Sequence, residues 1–174
     1  MFFDYLILGL VLYAIVVSLL YTCITGISPV SSTFKSRKKI IRAISSDQEG
    51  FIYERGAGWG AMAFPLARLC PEATVEAHEL SPIPWLYLRV FALLFGPENL
   101  IIRRRNFLKD NLSKASLVVC YRYPGAMVKL SSKLVMELKP GAKVTSNTFE
   151  MPTWTTTLIQ NPEDIMYHRY FSMR

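Results

Sequence analysis

The sequence is poor in the residues that bind metals and form disulfides. It contains 3 cysteines and 2 histidines in 174 residues, and no C-x-x-C pair. Cys23, Cys70 and Cys120 are far apart in the chain. This spacing excludes a recognisable zinc site, and an odd number of scattered cysteines favours a reducing compartment. Each cysteine is interpreted as a small buried apolar residue.

Acidic residues are also scarce. The chain has 13 Asp and Glu against 20 Lys and Arg, which gives a net charge of +7. A basic run between Lys35 and Arg42 supplies much of the excess. Nucleic acid is therefore not required to explain the charge, and contact with anionic lipids is compatible with it. Internal repeats and low-complexity linkers are absent, and the length fits one domain.

Charge is missing altogether from Tyr5 to Thr25. As a helix this stretch would be roughly 31 Å long, close to the thickness of the hydrocarbon core. A cleaved signal peptide, the competing interpretation, would need a basic start and a shorter apolar stretch. The prediction is a transmembrane anchor at 1–30. Such a span implies the lipid bilayer as a partner.

A basic juxtamembrane helix is predicted at 31–47, with Ile40, Ile41 and Ile44 turned inward. Basic residues that flank a span stay on the cytoplasmic side, so we expect a single-pass membrane protein with a cytoplasmic C-terminal domain at 48–174.

Residues 51–60 read FIYERGAGWG, a short β-prone run followed by glycines at every second position. Gly56, Gly58 and Gly60 allow positive φ and leave no Cβ between the chain and a ligand. A strand, a glycine turn and a helix start together favour a nucleotide-like ligand. The carboxylate of Glu54 disfavours a pyrophosphate and suits an ammonium or sulfonium group, which points to S-adenosylmethionine. A glycine-rich turn without a ligand remains the alternative.

A second strand is predicted at 74–80 and ends near Glu79. An acidic residue about 20 positions after the glycines commonly binds ribose hydroxyls. The alternative for Glu79 is a plain surface residue. His78 is predicted to face the other side of the sheet and to be structural.

The next helix is predicted from Ser81, as N-cap, to Phe95, and it is apolar nearly all round. Eleven apolar residues cannot span a bilayer, so the helix either packs deeply or presses on a membrane surface, and packing is the default. A third strand at 99–105 ends in three arginines, which are typical of a protected edge strand. Asn106 and Phe107 follow, where an adenine could meet an amide and a ring.

A continuous apolar run at 117–121 predicts a central parallel strand. It leads to Tyr121, Tyr123 and Pro124, which stand at the strand end where open α/β sheets bind ligands. A helix at 126–137, a strand at 142–149 and an antiparallel hairpin formed by 155–160 and 165–173 complete the prediction.

This pattern resembles the class I S-adenosylmethionine-dependent methyltransferases. More narrowly, it resembles the small membrane-anchored enzymes related to the mitochondrial lysine methyltransferases of the ATP synthase c subunit and the adenine nucleotide translocase. The segments that carry the narrower resemblance are HELSPIPW, NFLKDNLSKASLVVCYRYPGAM, ELKPGA and NTFEMPTW.

The resemblance implies a Rossmann-like α/β sheet, mostly parallel with a C-terminal antiparallel hairpin, after one transmembrane helix. It implies S-adenosylmethionine as cofactor and methylation of a lysine in a membrane protein, with no metal. The implied catalytic positions bordering the methyl group are Tyr121, Tyr123 and Pro124. The implied cofactor-binding residues are Glu54, Gly56, Ala57, Gly58, Gly60, Glu79, Asn106 and Phe107.

Two residues depart from the family pattern, since Arg55 replaces an apolar residue and Ala57 a serine. An unpaired buried guanidinium would be costly, so Arg55 needs a carboxylate partner or access to water; otherwise the cofactor site has decayed. Two alternatives to lysine methylation are kept. One is a nucleic-acid methyltransferase that uses the arginine run, and the other is an inactive membrane-tethered binding module.

Overall fold

The computed structural model describes residues 2–25, 34–106, 109–120, 124–147, 157–158 and 166–170. Its helices are α1 (Phe2–Thr25), α2 (Phe34–Ala43), α3 (Ala63–Leu69), α4 (Pro82–Phe95) and α5 (Pro124–Glu137). Its strands are β1 (Gly50–Arg55), β2 (Ala73–His78), β3 (Leu100–Arg103), β4 (Ala115–Cys120), β5 (Lys143–Asn147), β6 (Thr157–Leu158) and β7 (Met166–Tyr170).

The strands form one sheet in the order β3-β2-β1-β4-β5-β7-β6. Neighbours from β3 to β5 run parallel, whereas β7 pairs antiparallel with both β5 and β6. The predicted Rossmann-like α/β architecture is therefore confirmed. The chain moves outward from β1 to β3 and then returns to the other side of β1 with β4. This reversal of strand order is where open α/β sheets bind ligands.

One face of the sheet is covered by α2, α3 and α4. Ile40 and Ile44 of α2 are buried in a cluster with residues of α3 and the central strands, as the sequence predicts. Leu88 of α4 is buried in the adjoining cluster. The opposite face carries α5, whose Leu130 and Leu134 pack on β1, β4 and β5. The strands most central to the sheet are thus buried on both faces, which explains the continuous apolar run in β4.

No helix among the described residues covers the opposite face of the sheet over β2 and β3. The β3-to-β4 connection contains no α-helix within its described residues, 104–106 and 109–114. Along β2, Val75 and Ala77 pack towards α3 and α4, so Glu76 and His78 point to the uncovered face. Apolar side chains on a sheet face without a helix would be exposed to water, which is unfavourable. Polar residues at these two positions avoid that exposure.

The N-terminal stretch is helical over Phe2–Thr25, and the side chains described there are mostly exposed. The transmembrane span predicted in this stretch is not confirmed. Among the residues that the structure describes, no helix is both long enough and apolar enough to cross a membrane.

Helix α4 begins after Ser81 and ends at Phe95, as predicted, but the prediction that it packs deeply is wrong. Leu88 is its buried residue, while Leu93 and Leu94 are 84% and 64% exposed. The helix contacts the sheet through one narrow stripe, because α3 and β3 offer it only a small apolar surface. Trp85, Phe91 and Ala92 are partly buried against the same cluster, whereas Leu86 and Val90 are exposed like Leu93 and Leu94.

Candidate active site

The glycine turn lies against the carboxyl end of β2. The backbone N–H groups of Gly56 and Ala57 both donate to the carbonyl of His78, at 2.9 and 3.0 Å. Gly60 N–H donates to the carbonyl of Ala57 at 2.8 Å and closes the turn. Gly56, Gly58 and Gly60 all have positive φ, at 87°, 56° and 81°. The alternating glycines are therefore required by the backbone path itself.

Gly58 and Gly60 differ in what surrounds them. A Cβ at Gly58 would meet no heavy atom within 4 Å, so the turn is open on that side. A Cβ at Gly60 would lie 2.4 Å from Leu88 and 2.6 Å from Phe64. Gly60 thus lets α3 and α4 pack closely, whereas the space beside Gly58 is available to a ligand.

Glu79 is held rigidly beside this open space. One carboxylate oxygen accepts the N–H of Gly58 at 2.8 Å, and the other accepts the N–H of Ser81 at 2.8 Å. Each oxygen retains a lone pair for a further donor. The carboxylate therefore ties the glycine turn to the start of α4 and can still bind hydroxyl groups of a ligand.

Glu54 is buried at the end of β1, and its Oε2 has no hydrogen-bond partner among the described residues. Burial raises its pKa to about 8, and the negative charge of Glu79 adds to the increase. The carboxyl group thus holds a proton at neutral pH until a cation compensates for it. A buried carboxyl without a partner, next to an open glycine turn, suits a ligand with an ammonium group.

Arg55 does have a carboxylate partner. Its Nη1 lies 3.1 Å from Asp110 and 2.8 Å from Nδ1 of His78, and its guanidinium lies 4.6 Å from the centre of the Tyr53 ring. His78 also contacts Asp110 and Glu76, at 2.6 and 2.7 Å. Burial lowers the pKa of Arg55, and the charge of Asp110 opposes this. Burial and the guanidinium lower the pKa of His78.

This cluster of Tyr53, Arg55, Glu76, His78 and Asp110 lies over β1 and β2 on the face of the sheet that carries α5. It explains how the chain tolerates arginine in a strand of the core, and it places His78 on the opposite side of the sheet from Glu79, as predicted. Sequence reasoning assigned no role to Asp110, which lies 55 positions from Arg55 in the segment NFLKDNLSKASLVVCYRYPGAM. The only available signal was the need of Arg55 for a partner.

The remaining predicted site residues are only partly described. Ala57 is buried in the cluster with Leu88, so a serine hydroxyl there would be buried as well. Asn106 follows β3, and its carbonyl accepts the N–H of Lys109 at 2.9 Å. Pro124 is the first residue of α5. Phe107, Tyr121 and Tyr123 lie outside the described residues.

The residues that are described fit S-adenosylmethionine. The unpartnered carboxyl of Glu54 suits the ammonium group of the methionine part, the carboxylate of Glu79 suits a ribose hydroxyl pair, and the space at Gly58 lies between them.

Comparison with known proteins agrees with this geometry. A family model described as "ANTKMT methyltransferase domain" matches residues 54–158. No curated protein matches the chain.

Solved structures share the fold. An RNA methyltransferase from Salinibacter ruber, in complex with S-adenosyl-L-homocysteine, is 22% identical with a TM-score of 0.69, over 81% of this chain and 92% of that one. A precorrin-6y C5,15-methyltransferase from Geobacter metallireducens GS-15 is 16% identical with a TM-score of 0.57, over 71% and 67%. Human N-acetylserotonin methyltransferase, in complex with SAM, is 20% identical with a TM-score of 0.52, over 64% of this chain and 33% of that one.

Proposed function

The chain belongs to the ANTKMT methyltransferase family and uses S-adenosylmethionine, and from that premise we propose that it methylates a lysine side chain of a membrane protein. The observation that carries the cofactor assignment is the buried, unpartnered carboxyl of Glu54 beside the open turn at Gly58. The choice of acceptor is supported by the sequence resemblance and by the exposed apolar side chains of α1.

The bound cofactor would supply a methyl group on a sulfonium leaving group. The protein then has mainly to align the acceptor, and alignment alone can contribute several kcal/mol. Glu54 and Glu79 would fix the two ends of the cofactor. Asn106 and Phe107 would border its adenine, and Gly56 and Ala57 would contribute backbone to the same pocket.

A lysine amine must arrive without its proton. Tyr121, Tyr123 and Pro124 would border the amine, and an environment of rings with little water lowers the pKa of an amine by desolvation. Tyrosine faces also attract a methylated ammonium. The lysine ammonium would lose its proton to water before the transfer, and the methylated product would leave as an alkylammonium, so no dedicated base is required.

Membrane attachment is part of the proposal. Leu6, Leu10 and Leu19 of α1 are 49%, 61% and 57% exposed, and none of the apolar clusters of the domain contains a described residue of α1. An apolar surface of this size on a helix outside the core suggests contact with lipid. The basic residues of α2 follow directly, which favours anionic lipid heads and a cytoplasmic domain.

A nucleic-acid acceptor has less support. Of the arginine run that could bind phosphate, Arg103 lies 3.9 Å from Glu76 and Arg105 lies 3.6 Å from Asp110. Arg104 stacks over Trp85 at 5.8 Å. Because each of these arginines has a partner within the chain, the run is explained by the fold.

The cofactor assignment is tested by calorimetry with S-adenosylhomocysteine, which carries the same ammonium group. Because Glu54 is protonated below about pH 8 and the ligand ammonium favours the carboxylate, binding at pH 7 should release a proton. The heat of binding should therefore change with the ionisation enthalpy of the buffer. Glu54→Gln should bind more weakly and without this dependence; proton release of equal size in that variant would refute the role of Glu54.

The acceptor is identified with labelled S-adenosylmethionine and isolated membranes. We expect the label to be transferred to protein, and mass spectrometry should locate it on a lysine. The variant Gly58→Asn, whose side chain obstructs the cofactor space, should transfer no label. Label that ribonuclease removes would instead establish the nucleic-acid alternative.

A further inference from the structure

The helices α2, α3 and α4 carry basic but no acidic side chains; the nearest exposed carboxylates in the chain, Asp47, Glu72 and Glu98, lie in the turns that follow them. Their sequences are FKSRKKIIRA, AFPLARL and PIPWLYLRVFALLF, which contain lysine and arginine but neither aspartate nor glutamate. Lys38 and Arg42 of α2, Arg68 of α3 and Arg89 of α4 are all exposed. The three helices share one side of the sheet, so these charges point away from it on the same side of the molecule.

An apolar ridge runs along the outer side of α4. Its members are Leu86, Val90, Leu93 and Leu94, which are 56%, 49%, 84% and 64% exposed. They recur at the spacing of helical turns and form a continuous stripe. We call this stripe the α4 ridge. Large apolar side chains at such exposure on one helix mark a surface that contacts something other than water.

The α4 ridge adjoins the cofactor turn. Trp59, between Gly58 and Gly60, packs edge-on against Tyr87 at 5.4 Å, and Tyr87 stacks on Phe91 at 5.7 Å. Phe91 in turn contacts Phe95 at 5.1 Å. A row of aromatic rings thus connects the open glycine turn to the far end of α4.

Charge decides which partner fits this face. A second copy in a two-fold contact would bring the same basic residues together, which costs energy. Anionic lipid heads complement them instead. With 14 residues, α4 is roughly 21 Å long and too short to span a bilayer, but a helix with large apolar residues can lie in the interface.

We propose that the face of α2, α3 and α4 docks on an anionic lipid surface, with the α4 ridge inserted among the lipid heads. The inference rests on the membrane attachment proposed above and goes beyond it, since it assigns a second, interfacial contact to the catalytic domain. Docking in this orientation places Trp59 and the glycine turn beside the lipid surface. A lysine at the membrane–water interface would then be within reach of the site.

The test places a nitroxide label on the α4 ridge of the full chain. The labelled variant is Leu93→Cys with Cys23→Ser, and the matched control is Met136→Cys on the same background. Met136 is 77% exposed on α5, on the opposite face of the sheet. Cys70 and Cys120 are buried and remain unlabelled. Both proteins are reconstituted in vesicles of phosphatidylcholine with phosphatidylserine.

In these vesicles, the label at 93 should be protected from a water-soluble nickel chelate and accessible to oxygen, while the label at 136 stays accessible to nickel. Equal nickel access at both positions would overturn the inference. Spin–spin broadening at 93 would also overturn it, because it would show a second copy on the ridge. Co-sedimentation with the vesicles measures attachment separately, and binding of S-adenosylhomocysteine in the same sample measures the cofactor site. Loss of vesicle attachment or loss of ligand binding can therefore be distinguished from loss of docking.

A charge arm tests the lipid specificity. The two charge reversals Arg42→Glu and Arg89→Glu, made together, should abolish the part of the protection at residue 93 that depends on phosphatidylserine. Lys139→Glu, which changes an exposed lysine in the turn before β5, should leave it intact. Protection that survives the double reversal, or that is equal without phosphatidylserine, would refute the electrostatic basis of the proposal.

Discussion

At the residue scale, the glycines of the turn have separate physical roles. All adopt positive φ, but a Cβ at Gly60 would meet core side chains, whereas a Cβ at Gly58 would meet none. Gly58 faces open space and bonds through its N–H to Glu79. A stability measurement and a binding measurement should therefore respond to different glycines.

Gly58→Asn and Gly60→Ala are expected to separate these effects. Asparagine tolerates the left-handed backbone, so Gly58→Asn should change stability by less than about 1 kcal/mol while its side chain occupies the ligand space. Gly60→Ala should destabilise the fold by roughly 1–3 kcal/mol, through overpacking against Leu88 and Phe64. Chemical denaturation measures the change in folding stability, and calorimetry with S-adenosylhomocysteine measures the change in ligand affinity. Full ligand affinity in Gly58→Asn would contradict the site assignment.

Glu54 should make the unliganded protein less stable at higher pH. Its pKa is about 8 in the folded state against 4.5 otherwise, so above pH 4.5 the unfolded chain releases a proton that the folded chain retains. Folding stability contributed by this group therefore falls as the pH rises from 4.5 to 8. Glu54→Gln should be roughly 3 kcal/mol more stable at pH 7 and show little difference near pH 4.5. Denaturation curves measured across this pH range give the difference in stability between the two proteins. A difference that does not change with pH would show that the carboxyl group is ionised throughout and would contradict the prediction.

At the element scale, the sequence predicts what depends on local pattern. The succession of strands and helices along the chain, the glycine turn after β1 and the start of α4 at Ser81 each follow from periodicity and breakers within a few residues. The packing of α4 does not, because an apolar helix reads the same whether a second layer covers it or not. The partner of Arg55 is likewise invisible, since Asp110 reaches it only through the uncovered sheet face.

The Arg55–Asp110 pair should hold β1 to the loop before β4. Asp110→Asn removes a charge from a buried pair and leaves the guanidinium uncompensated, which should cost roughly 3–5 kcal/mol of folding stability. Arg55→Met in the same chain should recover most of this loss, because no buried charge then remains. The free energies of unfolding of both single variants and the double variant, measured by urea denaturation, give a double-mutant cycle. Additive losses would show that the two side chains act independently.

At the scale of the whole molecule, the methyltransferase domain follows a helix, α1, whose apolar side chains are exposed. None of the apolar clusters includes a described residue of α1, so α1 contributes to something other than that core. A tether makes the encounter with a membrane-bound acceptor effectively intramolecular, at an effective concentration around the millimolar range for short linkers. A free small-molecule acceptor would gain nothing comparable.

Deletion of residues 1–26 should therefore separate chemistry from encounter. The deletion variant should retain the fold and bind S-adenosylhomocysteine with unchanged affinity, because Glu54, Gly58 and Glu79 lie in the domain. Its activity on a detergent-solubilised acceptor should also persist, whereas methylation of the same acceptor in intact membranes should fall at least tenfold, since the effective concentration supplied by the tether is lost. Mass spectrometry of the acceptor lysine measures both rates. A point variant that places a charge within α1, Leu10→Asp, should reproduce the loss in membranes if lipid contact by this helix is the cause. Equal methylation of membranes by the full chain and the deletion variant would refute the tether, while leaving the methyltransferase activity itself unaffected.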